Sequence, residues 1–336
     1  MGTFQVTGAF HVHGGRLTEA CAVFGGAAQD WLDLSTGINP APWHNARLSI
    51  DWAPLPDPEA LTRLERQAAR HFSVDPHLCC AVPGSEVGLR LLAHLLGLPG
   101  RHAPLSYSTH ADAFERAAPI TPYRNGSREA SVLVIANPNN PDGRVTPRKA
   151  LLSMLARQEA NGGWLVVDEA FADCRPDWSI SSQVTEARRL IVLRSFGKFF
   201  GLAGVRLGFV IGTTDVVNRT RQLLGEWPIH AAALTLGTAA YTDRDWIAAT
   251  RRELPIRAAR LDAVLIRHGL DPQGDCPLFR LAHTPDALRL FALLARRHIL
   301  TRPFAAHPHL LRFGLPPDDE SLARLDAALS SGLADG

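Results

Sequence analysis

Short apolar runs alternate with helical patterns through the middle of this 336-residue chain, and this alternation constrains the fold more than any other feature. The runs are continuous rather than alternately apolar and polar, which is typical of strands buried on both faces. Buried strands that alternate with helices predict an α/β domain with a mostly parallel sheet. The runs are Ser131–Ala136, Gly163–Asp168, Leu190–Ser195 and Leu207–Gly212, with helical segments at about 147–161 and 215–224.

The pattern changes after about Tyr241, where a long helix over about 243–268 is followed by shorter strands and one more helix at about 285–298. We therefore predict a large domain over residues 36–242 and a smaller α+β domain over residues 243–336. The first 35 residues are expected to pack with the smaller domain.

The overall composition excludes several classes of protein. A net charge of only +2 does not indicate a nucleic-acid or membrane-surface binder. Five cysteines without a Cys-x-x-Cys pair argue against a disulfide framework or a structural zinc site, and they fit a reducing cytoplasm. The N-terminus lacks the pattern of a signal peptide, and no apolar stretch approaches the roughly 20 residues that span a bilayer. A cytoplasmic protein is expected.

Polar residues follow the predicted strands, at the edge where open parallel sheets bind ligands. The turn Gly84-Ser-Glu86 begins a helix, where free N–H groups suit a phosphate, although Ser85 could also be an ordinary helix cap. Asn140 lies in the turn after the next strand, where it could donate a hydrogen bond to a ligand or belong to simple turn chemistry.

Two further strands end in residues of the same kind. Asp168 ends one of them, where a buried carboxylate needs a partner such as a protonated pyridine nitrogen, although an Asp that caps the next turn is common. Ser195 and Lys198 follow the other strand. Ser195 and Arg206 flank Lys198, and a hydroxyl and a guanidinium at one anion fit a phosphate, whereas Arg206 alone could form a surface ion pair.

Three motifs, in their order and spacing, resemble those of the class I and II aminotransferase superfamily. The resemblance covers nearly the whole chain and implies a pyridoxal-phosphate (PLP)-dependent transferase fold of type I, with PLP as the cofactor. The motifs are Asn137-Pro-Asn-Asn-Pro-Asp-Gly143, Val166-Val-Asp-Glu-Ala-Phe171, and Ser195-Phe-Gly-Lys198 followed by Gly201-Leu-Ala-Gly-Val-Arg-Leu-Gly208.

The resemblance implies a role for each residue at the cofactor ring. Lys198 is the Schiff-base lysine, Asp168 pairs with the pyridinium nitrogen, and Asn140 bonds the ring hydroxyl. Tyr107 occupies the position of the aromatic residue that stacks on the ring. Phe171 replaces a tyrosine that many relatives use on the ring oxygen, so Asn140 is expected to act more alone there.

The same resemblance assigns the anions. The backbone amides of Ser85 and Glu86, with Ser195 and Arg206, hold the cofactor phosphate, and Arg312 binds the substrate carboxylate. Relatives are homodimers.

Leu55 stands where relatives carry a tyrosine that reaches the neighbouring subunit's cofactor. This departure puts that one contact in doubt and leaves the expected homodimer unchanged.

The N-terminus resembles one branch of the superfamily. His13-Gly-Gly15 and Trp31-Leu-Asp-Leu-Ser-Thr-Gly-Ile-Asn-Pro40, which includes Gly37, are similar to the start of L-threonine-O-3-phosphate decarboxylases of cobalamin biosynthesis. The resemblance implies that this segment lies over the active site, and that His13 and Gly37 bind the phosphorylated substrate. Without it, His13 would be interpreted as an exposed tail residue. His11 and His13 are too few ligands for a metal site, so no metal is expected.

The expected reaction is decarboxylation of threonine phosphate to (R)-1-aminopropan-2-ol O-phosphate and CO2. PLP breaks whichever Cα bond stands perpendicular to its ring, so a decarboxylase must hold the carboxylate in that position. Arg312, His13 and Arg302 are the candidates for the anion sites, although Arg302 could equally be a surface residue, and Lys198 is the expected proton donor.

Two other functions belong to proteins with the same type of domain. A histidinol-phosphate-type aminotransferase could share every one of these residues except the N-terminal histidine. A transcription regulator with an aminotransferase-like domain needs an added DNA-binding module, for which the chain has neither the room nor a basic recognition helix, so no nucleic-acid partner is expected.

Overall fold

A computed structural model describes residues 10, 13–45, 47–120 and 129–333 of the chain. By its internal contacts the chain divides into two units. The first unit comprises Met1–Ala41, Pro141–Gly143 and Arg252–Gly336, and the second comprises Pro42–Asn140 and Arg144–Arg251. The domain boundaries expected from the sequence, after residues 35 and 242, stay a prediction.

The helices of the described residues account for every helical segment expected from the sequence. They are α1 (Leu17–Phe24), α2 (Pro58–Phe72), α3 (Ser85–Leu96), α4 (Thr109–Asp112), α5 (Arg148–Ala160), α6 (Phe196–Phe199), α7 (Thr214–Leu224), α8 (Ala231–Thr242), α9 (Arg244–Arg267), α10 (Ala287–Ala295) and α11 (Asp319–Leu333).

The strands are short, and most of the long ones coincide with the apolar runs of the sequence. They are β1 (Leu32–Asp33), β2 (Cys79–Val82), β3 (Gly100–His102), β4 (Ala117–Pro119), β5 (Val132–Ala136), β6 (Trp164–Asp168), β7 (Leu190–Ser195), β8 (Gly208–Ile211), β9 (Asp271–Gln273), β10 (Phe279–His283), β11 (Ile299–Leu300), β12 (Arg302–Pro303) and β13 (Leu310–Gly314).

The second unit contains a seven-stranded sheet in the order β2-β8-β7-β6-β5-β3-β4. All neighbouring pairs are parallel except those of β8, which runs antiparallel to both β2 and β7. The predicted α/β architecture with a mostly parallel sheet is therefore confirmed. Side chains of the sheet and of α3 form one buried apolar core, which includes Val82, Leu89, Leu92, Val134, Val166, Ile191, Leu193 and Val210.

The first unit contains residues from both ends of the described chain. Strand β1 pairs in parallel with β11, and a four-stranded antiparallel sheet follows the order β12-β13-β10-β9. The predicted smaller α+β architecture is confirmed, but the expectation of only one helix after α9 was wrong, because α11 follows α10. Its sequence is rich in small and polar residues, which weakens the apolar pattern from which helices are predicted.

Local signals explain where helices begin and end. Helix α2 begins at Pro58 behind Asp57, whose Oδ1 accepts a hydrogen bond of 3.0 Å from the backbone N–H of Glu59. Helix α3 ends at Gly97, which adopts a left-handed conformation with φ of 60°. These two helices flank β2 and fix the position of the turn between β2 and α3.

Among the described residues, no helix combines the length and the apolar character needed to cross a bilayer. The five cysteines are free thiols, and four of them are buried.

Candidate active site

The site begins at one edge of the seven-stranded sheet, where three strand ends meet. Val82 at the end of β2 is paired with Gly208 at the start of β8, and Gly208 is paired with Ser195 at the end of β7. Because β8 is antiparallel, the residues that precede it lie at the same edge as the residues that follow β2 and β7. Ser85, Ser195 and Arg206 are therefore brought to one place.

Two glycines allow these groups to approach closely. A Cβ on Gly84 would lie 2.8 Å from Nη2 of Arg206, and a Cβ on Gly208 would lie 2.4 Å from the backbone nitrogen of Ser85. Gly84 also has a φ of 96°, which side-chain-bearing residues rarely adopt. The Arg206 guanidinium therefore lies beside the N-terminus of α3, where Nη1 donates a hydrogen bond of 3.3 Å to the carbonyl of Ala203, and among the described residues it forms no ion pair with a carboxylate. This arrangement suits a phosphate.

Asp168 ends β6 and is nearly buried. Its Oδ1 accepts a hydrogen bond of 3.1 Å from the backbone N–H of Ala170, and its Oδ2 lies 3.1 Å from Nε2 of His110. His110 is fully buried, and its Nδ1 has no hydrogen-bond partner among the described residues. In the tautomer that has its proton on Nε2, His110 donates this hydrogen bond to Asp168 and fixes the orientation of the carboxylate. Asp168 thus has a supporting residue, as well as the expected backbone cap.

Tyr107 lies beside this pair, with its ring centroid 5.9 Å from that of His110 and the two rings perpendicular. Its hydroxyl donates a hydrogen bond of 3.0 Å to Oε2 of Glu86, in the first turn of α3. Burial raises the pKa of Tyr107 to about 12, so the phenol keeps its proton. Tyr107 therefore connects the Asp168 side of the site with the Ser85–Glu86 turn.

Lys198 lies in α6, three residues after the end of β7. Its Nζ lies 6.0 Å from the ring centroid of the buried Phe171. Asn140 lies in the turn that follows β5 and belongs to the second unit. The neighbouring residue, Asn139, donates a hydrogen bond of 3.0 Å from Nδ2 to the carbonyl of Leu105. That bond ties the turn to the segment that carries Tyr107.

These groups of the second unit fit PLP. The set comprises an amine for the aldehyde, a carboxylate for the ring nitrogen, and a helix N-terminus with two hydroxyls and a guanidinium for the phosphate. The glycine contacts at positions 84 and 208 show that the close approach of Arg206 and of the first residue of α3 depends on the absence of a Cβ. The residues of the whole set are Lys198, Asp168, Ser85, Ser195 and Arg206.

The first unit carries a second group of predicted residues. Arg302 on β12 stands directly opposite Arg312 on β13, and Arg312 is buried with its Cζ 5.2 Å from the ring centroid of Phe279. Nη2 of Arg312 donates a hydrogen bond of 2.7 Å to the carbonyl of Ser35. Burial, followed by the charge of Arg302, lowers the pKa of Arg312 to about 9. Two adjacent guanidinium groups favour an anion between them.

The N-terminal residues of the predicted site lie in the same unit. His13 is half-buried. It is followed by Gly14 and Gly15, whose backbone contacts Ser35. Gly37 is buried in the stretch after β1. His11 lies outside the described residues.

A buried charge network lies next to Asp168 in the second unit. Arg194 precedes Ser195, and its guanidinium forms ion pairs with Glu169, at 2.9 Å, and with Asp173. Nε2 of His71 lies 2.9 Å from Oδ1 of Asp173. Glu169 follows Asp168 in the chain, and Arg194 precedes Ser195. The Arg194–Glu169 ion pair therefore links the strand ends that carry Asp168 and Ser195, two of the predicted cofactor residues.

A model of the family described as "Aminotransferase class I and II" matches residues 96–329. The chain belongs to the class I and II aminotransferase family. This confirms the predicted PLP-dependent fold of type I. The family match also covers most of the second unit's site residues, including Asp168 and Lys198.

The chain is similar to two curated threonine-phosphate decarboxylases. It is 40% identical over 328 residues to one from Sinorhizobium sp, with 95% of this chain and 97% of the relative covered. It is 40% identical over 331 residues to one from Pseudomonas aeruginosa, with 94% and 96% covered. Its fold is similar to the crystal structure of L-threonine-O-3-phosphate decarboxylase from Porphyromonas gingivalis, with a TM-score of 0.75, 18% identity, and 90% and 99% of the two chains covered.

Sequence reasoning missed three residues that support the site: His110, Ser35 and Arg194. His110 lies in a four-residue helix that shows no apolar periodicity. Arg194 lies within an apolar strand, and a charged residue in such a run is a signal that could have found it, because it needs a buried partner. Ser35 gave no signal of its own beyond its place in the N-terminal motif.

Proposed function

We propose that this protein is a PLP-dependent carboxy-lyase that converts L-threonine O-3-phosphate to (R)-1-aminopropan-2-ol O-phosphate and CO2 in cobalamin biosynthesis. The observation that carries the proposal is the 40% identity to threonine-phosphate decarboxylases over nearly the full length of both chains. The pair formed by Arg302 and Arg312 supports it, because the substrate carries both a phosphate and a carboxylate.

When bound, PLP supplies an electron sink that accepts the electron pair of the breaking bond at Cα. Asp168, supported by His110, keeps a proton on the ring nitrogen. Nζ of Lys198 delivers a proton to Cα after CO2 has left. Ser85, Glu86, Ser195 and Arg206 hold the cofactor phosphate, while Tyr107 and Asn140 contact the ring.

The residues of the first unit decide which bond breaks. Arg312 binds the substrate carboxylate, and Arg302, His13 and Gly37 bind its phosphate. Anchoring both anions fixes the orientation of the carboxylate, and a fixed orientation is worth several orders of magnitude in rate. Decarboxylation rather than proton removal follows from that orientation.

The decisive experiment measures two products from one substrate. The PLP-loaded enzyme is incubated with threonine phosphate alone, and released CO2 is quantified. A parallel reaction supplies 2-oxoglutarate and histidinol phosphate, and glutamate is quantified. We expect CO2 in the first reaction and negligible glutamate in the second. Brisk glutamate formation without CO2 would instead establish the second candidate, a histidinol-phosphate-type aminotransferase, which the same cofactor residues could serve.

The pKa of Arg312 predicts a pH dependence of anion binding. Because the pKa is lowered to about 9, the guanidinium loses its charge as the pH rises through that value, and affinity for a carboxylate falls. Phosphoglycolate is a suitable probe because it has a phosphate and a carboxylate but no amine of its own to titrate. Its dissociation constant is expected to rise by about tenfold per pH unit above about pH 9.

The control for this experiment is Arg312→Met, which is expected to bind phosphoglycolate more weakly and to remove the pH dependence of binding between pH 8 and 10. A flat profile in the unsubstituted enzyme would show that Arg312 stays charged throughout or does not meet the anion.

We also propose that the enzyme is a homodimer. The second unit exposes large apolar side chains at Trp52, Leu55 and Trp227, which are 70%, 66% and 51% exposed. The Trp52 ring stacks on the His230 ring with 6.5 Å between the centroids. Trp227 and Pro56 both line a groove of about 420 Å³. Exposed tryptophans beside an apolar groove are typical of protein interfaces.

The oligomeric state is tested by sedimentation velocity on Trp52→Glu, with Ile266→Glu as the control. Ile266 is similarly exposed, at 61%, but lies on α9 in the first unit. We expect the unsubstituted enzyme and Ile266→Glu to sediment as dimers, and Trp52→Glu to shift towards monomer. Dimers of unchanged stability in Trp52→Glu would place the interface elsewhere. We further propose a cytoplasmic location, which suits five free thiols.

A further inference from the structure

We propose that Ser35 is a positioning residue that keeps the His13 segment in register with Arg312, and so determines the preference for a phosphorylated substrate. This inference rests on the function proposed above. All the residues that carry it lie in the first unit, around the end of β1.

Ser35 anchors the N-terminal segment. The backbone N–H of Gly15 donates a hydrogen bond of 2.7 Å to Oγ of Ser35. A Cβ on Gly14 would lie 2.3 Å from the carbonyl oxygen of Ser35, so the backbone at Gly14 packs directly against Ser35. Gly15 has a φ of 77°, a conformation that favours glycine. The backbone that follows His13 is therefore held on Ser35 by a hydrogen bond and by close packing.

Ser35 also contacts Arg312. Its carbonyl accepts the 2.7 Å hydrogen bond from Nη2 of Arg312, and both residues are buried. Ser35 itself is fixed by Asp33, whose Oδ1 accepts hydrogen bonds from the Ser35 backbone N–H, at 2.8 Å, and from Oγ, at 2.6 Å. The hydroxyl thus donates to Asp33 and accepts from Gly15, and the carbonyl serves Arg312.

The two functions of Ser35 use different atoms. The hydroxyl holds the segment that carries His13, whereas the backbone carbonyl holds Arg312. A substrate with two anions needs two binding groups at a fixed separation, and a loosely held group contributes little. Removing only the hydroxyl is therefore expected to weaken the contact with the phosphate and to leave the contact with the carboxylate intact.

The experiment compares two ligands that differ in one group. Binding of phosphoglycolate, which has a carboxylate and a phosphate, and of glycolate, which has the carboxylate alone, is measured by calorimetry on the PLP-loaded enzyme. We expect Ser35→Ala to weaken the binding of phosphoglycolate by about tenfold and to leave the affinity for glycolate unchanged. Ser35→Thr, which restores a hydroxyl, is expected to recover most of the loss.

Two further variants complete the test. Gly14→Ala places a Cβ against the Ser35 carbonyl, which holds Arg312, and is therefore expected to weaken the binding of both ligands. Ser153→Ala removes an exposed helical hydroxyl that bonds the carbonyl of Lys149, and is expected to change neither affinity. Steady-state kinetics with threonine phosphate should show a higher KM in Ser35→Ala at a nearly unchanged kcat.

Equal weakening of both ligands, or of neither, in Ser35→Ala would overturn the inference. The outcome is independent of the proposed reaction, because ligand binding is measured without turnover. An enzyme that releases no CO2 but shows the selective loss refutes the decarboxylase proposal and retains the role of Ser35. If the enzyme releases CO2 but Ser35→Ala shows no selective loss, the decarboxylase proposal is retained and the role of Ser35 is refuted.

Discussion

Replacing Lys198 with alanine is expected to abolish turnover and to remove the near-visible absorbance that PLP acquires when a lysine amine holds it. The chain contains only two lysines, Lys149 and Lys198. Lys198 follows β7 and has its Nζ near Phe171, whereas Lys149 lies exposed on α5. Loss of proton transfer alone reduces a rate by about 10²- to 10⁴-fold, and loss of the covalent attachment adds to that.

The matched control is Lys149→Ala, which should retain the absorbance and full activity. Reduction of the PLP-loaded enzyme with borohydride, followed by peptide mass analysis, locates the attachment directly. The modified peptide is expected to contain Lys198 in the unsubstituted enzyme and in Lys149→Ala. A label on Lys149, or near-visible absorbance that survives in Lys198→Ala, would refute the assignment.

Replacing Arg194 with methionine is expected to lower the free energy of unfolding by about 3–5 kcal/mol. Arg194 is the cation between the buried carboxylates of Glu169 and Asp173. Burial raises the pKa of Glu169 despite its hydrogen bonds with Ser179 and the backbone of Ile180. The pKa of Asp173 is lowered, because Arg194 and His71 together outweigh the opposing effect of burial. Methionine would leave both carboxylates buried without their guanidinium.

The pH dependence of this loss has a definite sign. Asp173 has a lowered pKa in the folded state, so its contribution to stability is present above the unfolded pKa and is lost as the pH falls through the folded value. In Arg194→Met the part of that contribution that Arg194 provides is missing at neutral pH. The difference between the two proteins should therefore narrow below about pH 4, where the unfolded carboxyl groups take up protons.

Urea unfolding followed by tryptophan fluorescence measures both effects. Arg63→Met is the control, because the ion pairs that Arg63 forms with Asp57 and Glu59 are exposed and are worth about 0–1 kcal/mol. Arg194→Lys should recover only part of the stability, since one ammonium cannot meet two carboxylates as a guanidinium does. A loss in Arg194→Met no larger than that in Arg63→Met would show that the network contributes little.

The sheet was predictable to the extent that its strands are continuous apolar runs. The runs before Asp168 and Ser195 are strands with nearly the expected bounds. The direction of β8 was not predictable, because a continuous apolar run is compatible with both a parallel and an antiparallel strand. Strands β3 and β4 were also missed, since each is only three residues long and contains glycine or proline.

The site was predictable where it follows strand ends. That rule assigned Ser85, Asp168 and Ser195 to one edge of the sheet, and the register of the strands places Ser85 and Ser195 together there. It could not find His110 or the partners of Arg194, because these contacts join residues 58 and 21–25 positions apart along the chain. The roles assigned to these residues stay predictions until the variants are measured.

The pairing of β1 with β11 has a consequence for how the protein is made. Leu32 pairs with Ile299, and Ser35 pairs through its carbonyl with Arg312, so contacts of the first unit join chain segments more than 260 residues apart. The second unit ends at Arg251 and can form during synthesis, whereas the first unit must wait for the C-terminal segment to leave the ribosome. The nascent chain therefore assembles the residues proposed to hold the cofactor before those proposed to select the substrate.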